Sequence, residues 1–164
     1  MTQHSQILSS KNFAIRAGMP GDLTTVIAID AEVTGTEKPD YWRDSFDDQG
    51  QLRGVQRFFL IAESQVENNE PKIIGFIIGE ARAWEFGSPP CGWVFALSVD
   101  PGSRLAGVGS GLLNAISECF QDVGVNRMRT MLSRRNHLLM AFFRSHGMMA
   151  GPYIQLEKEL GSDF

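Results

Sequence analysis

Phe95-Ala96-Leu97-Ser98-Val99-Asp100-Pro101-Gly102-Ser103-Arg104-Leu105-Ala106-Gly107-Val108-Gly109-Ser110-Gly111-Leu112-Leu113 reads as a strand, a turn and the opening of a helix. The apolar strand ends at Val99, Asp100-Pro101 turns the chain, and an Arg104-x-x-Gly107-x-Gly109 loop leads into an amphipathic helix. The first turn of a helix presents backbone N–H groups that have no intrahelical partner, in the positive field of the helix dipole. Glycine lets such a backbone come close to a ligand. The expected ligand is an anion, a phosphate ester above all.

Three kinds of phosphate loop compete for this segment. A Walker loop ends in Gly-Lys-Ser/Thr, whereas these glycines run into Ser110-Gly111-Leu112 with no lysine. A dinucleotide fingerprint sets Gly-x-Gly-x-x-Gly tight against its strand. Here the glycines are Gly107-x-Gly109-x-Gly111, and all of Asp100–Leu105 intervenes. The third pattern fits: the segment resembles motif A of the GNAT acetyltransferase superfamily, whose Arg/Gln-x-x-Gly-x-Gly/Ala loop holds the pyrophosphate of acetyl-coenzyme A. The preceding Val99-Asp100-Pro101 is also typical of that family. The resemblance implies that Arg104, Leu105, Ala106, Gly107, Val108, Gly109 and Ser110 hold the pyrophosphate. It also implies that Leu97, Ser98 and Val99 meet the pantetheine arm, chiefly through backbone groups of Leu97 and Val99 freed by a splay or bulge.

The rest of the chain agrees with that order. Phe13–Arg16 alternates like a strand, and Pro20-Gly21-Asp22 opens a helix bearing Leu23, Val26, Ile27 and Ala31, with Asp22 as its cap. A short helix is expected over Asp40–Phe46. Strands are expected over Arg57–Glu63 and Lys72–Ala81, joined by the polar Ser64–Pro71 turn. Trp84–Gly92 reads as a loop and Gly92–Val99 as the fourth strand. The helix after the glycine loop carries Leu112, Leu113, Ile116, Cys119, Phe120 and Val123 on one face and ends at Gly124. A fifth strand over Asn126–Leu132, a helix over Asn136–His146 closed by Gly147, and a final strand over Tyr153–Leu160 complete the pattern. The order β-α-α-β-β-β-α-β-α-β is similar to that of the GNAT family. It implies a single α/β domain over 13–164 after a flexible tail of 1–12. The expected sheet is twisted and mostly antiparallel, with six to seven strands, about four flanking helices and a splay between the fourth and fifth strands.

The family's motif B has a counterpart in Asn136, Phe143, Gly147 and Met148, which fall on its Asn, Tyr, Gly and Phe positions. The resemblance places Asn136 and Phe143 beside the thioester arm. The residues themselves equally allow Asn136 to cap its helix, Phe143 to fill a core and Gly147 to end the helix. The chain departs from the family where acid–base chemistry is expected. The fourth strand carries Phe95 and Ala96 where acids often stand, and Phe143 replaces the tyrosine that serves as acid. Glu80, Glu85, Ser98 and Tyr153 are the remaining catalytic candidates.

Composition bounds the rest. With 164 residues, 43% hydrophobic and 21% charged, the chain suits a globular domain, and no apolar run approaches a membrane span. Neither a signal pattern nor a basic stripe is present; at net charge −4, nucleic acid and membrane are not expected partners, and a cytoplasmic protein is. Cys91, Cys119, His4, His137 and His146 do not form a zinc framework, so no metal is expected. Residues 30–48 hold Asp30, Glu32, Glu37, Asp40, Asp44, Asp47 and Asp48 against Lys38 and Arg43, a balance of −5. That segment either attracts a cationic acceptor or is a solvated face. Tyr41, Trp42, Phe46, Trp84 and Phe86 either line an acceptor cleft or pack beneath its loops. The expected activity is acetyl-CoA-dependent N-acetyltransfer to a peptide or protein N-terminus or a small amine, with a homodimer allowed. The alternative is a catalytically weak acyl-CoA sensor or regulatory module.

Overall fold

Near-continuous apolar runs build the centre of the sheet, and a computed structural model of the chain shows how far each run extends. It describes residues 8–9, 12–47, 55–65, 70–104 and 107–161. Strands β1 (Leu8–Ser9), β2 (Phe13–Ala17), β3 (Val55–Ser64), β4 (Ile73–Arg82), β5 (Cys91–Val99) and β6 (Met128–Thr130) lie in that order, antiparallel except for the parallel β5–β6 pair. Five are full strands; β1, inside the segment expected to be a tail, is a two-residue edge. Helices α1 (Leu23–Thr34), α2 (Pro39–Asp47), α3 (Val108–Asp122) and α4 (His137–Ser145) make the expected four. Among the described residues, no helix is long and apolar enough to cross a membrane.

The expected count of six to seven strands is corrected at the C-terminus. Tyr153–Leu160 alternates in sequence but forms no strand, and Ile154, Leu156 and Leu160 are 81%, 86% and 90% exposed. Alternation fits a residue to a pleat, but a strand also needs a neighbour to take up its N–H and C=O groups. No described strand pairs with this segment. Residues 66–69 of the expected Ser64–Pro71 turn lie outside the described residues.

Met1–Met131 and Leu132–Phe164 form two compact units. In the first, α1 and α2 cover one sheet face. Val26, Ile29, Trp42 and Phe46 pack there on Phe59, Ile61, Phe76 and Ile78. Helix α3 covers the other face through Leu112, Leu113, Ile116 and Phe120. It lies close because β4 and β5 offer glycine there: a Cβ on Gly79 would meet Ile116 at 2.8 Å, and one on Gly92 would meet Phe120 at 2.4 Å. Asp22 does not cap α1 with its side chain. Its carboxylate instead accepts from the Met19 N–H (2.7 Å) and from Arg16 (2.7 and 2.9 Å). Burial pushes the Asp22 carboxyl up, but the Arg16 and Met19 hydrogen bonds outweigh it and hold the group below the usual carboxylate range.

In the second unit, α4 is held at both ends by local chemistry. Asn136 Oδ1 accepts from the Leu139 N–H at 3.0 Å. Gly147, at φ 80°, closes the helix, with the Met148 N–H donating to Phe143 O at 3.1 Å.

Candidate active site

The ladder between β4 and β5 contains one extra residue. Ile78 pairs with Ala96 while Gly79 pairs with Val94, so Phe95 has no partner and forms a β-bulge. Backbone groups along a strand point alternately to its two edges. The Gly92 N–H reaches Arg127 O at 2.8 Å, so the even residue faces the β6 side before the bulge. Beyond the bulge the Asp100 N–H reaches Ile74 O at 2.8 Å, so even residues now face β4. The odd residues Leu97 and Val99 therefore turn their N–H and C=O groups to the opposite edge. Among the described strands, β6 pairs with Gly92, Trp93 and Val94 and none pairs with Leu97 or Val99 on that edge; Thr130 Oγ1 closes the ladder on Val94 O at 3.0 Å. Ser98, between them, is buried on the α1–α2 face.

The glycine loop follows directly. Gly107 stands at φ 80°, a conformation other residues adopt at a cost, and marks the start of α3. The first intrahelical bond runs from the Gly111 N–H to Gly107 O at 2.9 Å. The N–H groups of Val108 and Gly109 lie upstream of it in the first turn, with Ser110 beside them. Val108 is buried and anchors the turn. Arg104 is exposed and ion-paired with none of the described residues. Leu105 and Ala106 lie outside the described residues.

On the α1–α2 face a cleft of about 150 Å³ is lined by Tyr41 and Ser45 of α2, Arg57 of β3, Ile78, Glu80 and Arg82 of β4, and Phe95 of β5. Its floor is an ionic chain. Arg57 and Glu80 are register partners across β3 and β4, and Arg57 Nε donates to Glu80 Oε1 at 2.6 Å. Arg57 Nη2 also pairs with that oxygen, and Nη1 donates to Ser45 O at 3.3 Å. Arg82 Nε donates to Glu80 Oε2 at 2.8 Å and Nη1 to Glu85 Oε2 at 3.2 Å. The Arg82 guanidinium lies 4.9 Å from the centre of the Phe95 ring.

The catalytic candidates separate. Glu80 is 2% exposed, with both oxygens held by guanidinium groups. Glu85 is partly exposed and pairs with Arg82, but is not among the residues that line the cleft. Tyr153 belongs to the C-terminal unit, as do Asn136, which caps α4, and Phe143, which is buried. Of the aromatic candidates, Tyr41 lines the cleft, Trp42 and Phe46 are core, and Trp84 and Phe86 are each 72% exposed on left-handed backbone. Part of the acidic segment is structural: buried Asp30 accepts from Trp42 Nε1 and Lys38 Nζ, both at 2.9 Å, and Asp40 pairs with Arg43. Asp48 lies outside the described residues. Burial pushes the Cys119 thiol up to about 11 and raises that of Cys91, which starts β5 inside the fold rather than standing in a loop. Both are free thiols.

Sequence reasoning missed Arg57 and Arg82. The available signal was Arg57, Glu80 and Arg82, charges flanking the long apolar runs Phe58–Ala62 and Ile73–Gly79.

The chain matches the acetyltransferase (GNAT) family over residues 23–148 and belongs to that family. The aminoglycoside N-acetyltransferase AAC(6')-Iy in complex with CoA superposes with a TM-score of 0.76 at 16% identity, over 94% of this chain and 99% of its own. A transcriptional regulator from Bacillus halodurans C-125 gives 0.73 at 15% identity, over 90% and 99%. A possible acetyltransferase from Clostridium difficile 630 gives 0.69 at 20% identity, over 93% and 100%. No curated protein matches the sequence at a significant level.

Proposed function

We propose that this chain binds acetyl-CoA and transfers the acetyl group directly to a primary amine. The observation that carries the reading is the Phe95 bulge, which turns the backbone of Leu97 and Val99 to an edge with which no described strand pairs. A pantetheine arm, itself bearing amide groups, adds to such an edge as a strand does. The pyrophosphate then meets the first turn of α3 and Arg104. Asn136 and Phe143 enter the proposal on the motif B spacing alone.

In the transfer, a neutral amine attacks the thioester carbonyl. The N–C bond forms, the C–S bond breaks, coenzyme A leaves as thiolate and the nitrogen loses a proton. Placement supplies most of the catalysis. Glu80 is engaged by two arginines, so the proton leaves through water, with the partly exposed Glu85 beside Arg82 as a relay. A site without a strong base favours an amine of low pKa. At pH 7 a lysine side chain is about 0.04% neutral, and a peptide α-amine about 10–15%. The kcat/KM at pH 7 should therefore favour a peptide N-terminus over a lysine side chain by on the order of 100-fold, and should rise with pH to about 8 before levelling. Equal use of the two amines would rule out this acceptor class.

The engaged Glu80 and the missing hydroxyl at Phe143 favour one second reading, a catalytically weak acyl-CoA sensor. Thermal unfolding with acetyl-CoA, against ATP and NAD, tests the coenzyme. At 100 times its dissociation constant, acetyl-CoA adds about 2.7 kcal/mol, about 5–10 °C. No shift at millimolar coenzyme removes both readings. A shift without amine-dependent acetyl-CoA consumption leaves the sensor.

A further inference from the structure

The ionic chain on the floor of the cleft ends in a donor, Arg82 Nη2, that bonds to none of the described residues. Arg57 has all three guanidinium nitrogens engaged, by Glu80 and Ser45 O. Arg82 uses Nε on Glu80 and Nη1 on Glu85, and its Nη2 bonds to none of the described residues. Among the described residues that line the cleft, Glu80 is the one carboxylate, set against two guanidinium groups. A polycationic amine therefore meets no unengaged carboxylate among the lining residues. A guanidinium edge held by neighbouring carboxylates and the Phe95 ring is, in contrast, preset for one more carboxylate oxygen. Outside the cleft, α2 carries exposed Asp44 and Asp47, which draw the positive end of an incoming molecule. The volume of about 150 Å³ suits a group about the size of benzene.

We propose that Arg82 is the acceptor-carboxylate anchor, and that the acceptor is a small zwitterion, an amino acid or dipeptide bearing a free carboxylate. This rests on the acetyl-transfer reading above and narrows it. It also separates this chain from enzymes that act on aminoglycosides, whose charge is wholly positive.

Steady-state acetyl transfer to alanyl-alanine, its C-terminal amide and neamine, near pH 8 where a peptide α-amine is about half neutral, tests the assignment. The wild-type kcat/KM should favour the dipeptide over its amide by about tenfold or more, mainly through KM, as loss of one charge-assisted bond implies. Arg82→Gln should bring that ratio to about one by raising the dipeptide's KM, with Arg82→Lys retaining part of it. The wild-type ratio needs no variant, so it stands whatever Arg82→Gln does to folding. If the amide or neamine serves as well as the dipeptide, or if Arg82→Gln weakens all acceptors alike, transfer stands and the anchor falls. If acetyl-CoA raises the melting temperature yet none of the three is acetylated, direct transfer fails and takes this assignment with it.

Discussion

Replacing Gly109 with tryptophan should abolish the acetyl-CoA shift and leave the melting temperature of the free protein in place. Gly109 is the second residue of α3 and has helical rather than left-handed backbone, so a side chain there meets no backbone strain. Glycine within a helix is also the poorer choice by about 1 kcal/mol, so the substitution does not weaken the helix. What changes is the space before the first-turn N–H groups, where a pyrophosphate must approach. A hundredfold loss of affinity, at the coenzyme concentration that gave the full effect, leaves about 0.4 kcal/mol, or about 1 °C. Gly107→Ala is the instructive contrast. At φ 80° it should cost about 1–2 kcal/mol of stability before any ligand is added. Unchanged affinity in Gly109→Trp would mean that α3 does not hold the pyrophosphate.

Glu80→Ala should be the most destabilising single change among the residues that line the cleft. It removes a carboxylate that is 2% exposed and leaves Arg57 and Arg82 facing each other across the cleft floor. Breaking a buried pair in this way costs about 3 kcal/mol, or about 6–12 °C in melting temperature. The acetyl-CoA shift should persist, and the pH dependence of transfer should still follow the amine. A general base predicts the reverse, a kcat loss of about 10²–10⁴ with little change in melting temperature. The two measurements together assign Glu80 to structure or to proton transfer.

Local signals made much of this legible in the sequence. Gly107, Gly109 and the apolar stripe Leu112–Phe120 located the α3 N-terminus, and Asn136 with Gly147 delimited α4, because caps and periodicity are short-range effects. The Phe95 bulge was invisible, since Trp93–Leu97 is apolar throughout and a register shift depends on the partner strand. The Arg57–Glu80–Arg82 chain was hidden for a related reason: Arg57 and Glu80 meet only once β3 and β4 are in register. Tyr153–Leu160 shows the opposite failure, an alternation that pairs with no described strand. Asp22 carried a cap's identity, but Arg16 and Glu63 claimed that corner of the fold.

What the bulge exposes is main chain, and main-chain groups are the same whichever residue carries them. Any residue content with extended backbone at 97 or 99 presents the same N–H and C=O. The cleft on the α1–α2 face is made of side chains, and each substitution at Arg57, Glu80 or Arg82 rewrites its chemistry. On the proposed assignment, substitution at 97 or 99 should leave the coenzyme bound, whereas substitution in the cleft should change the acceptor.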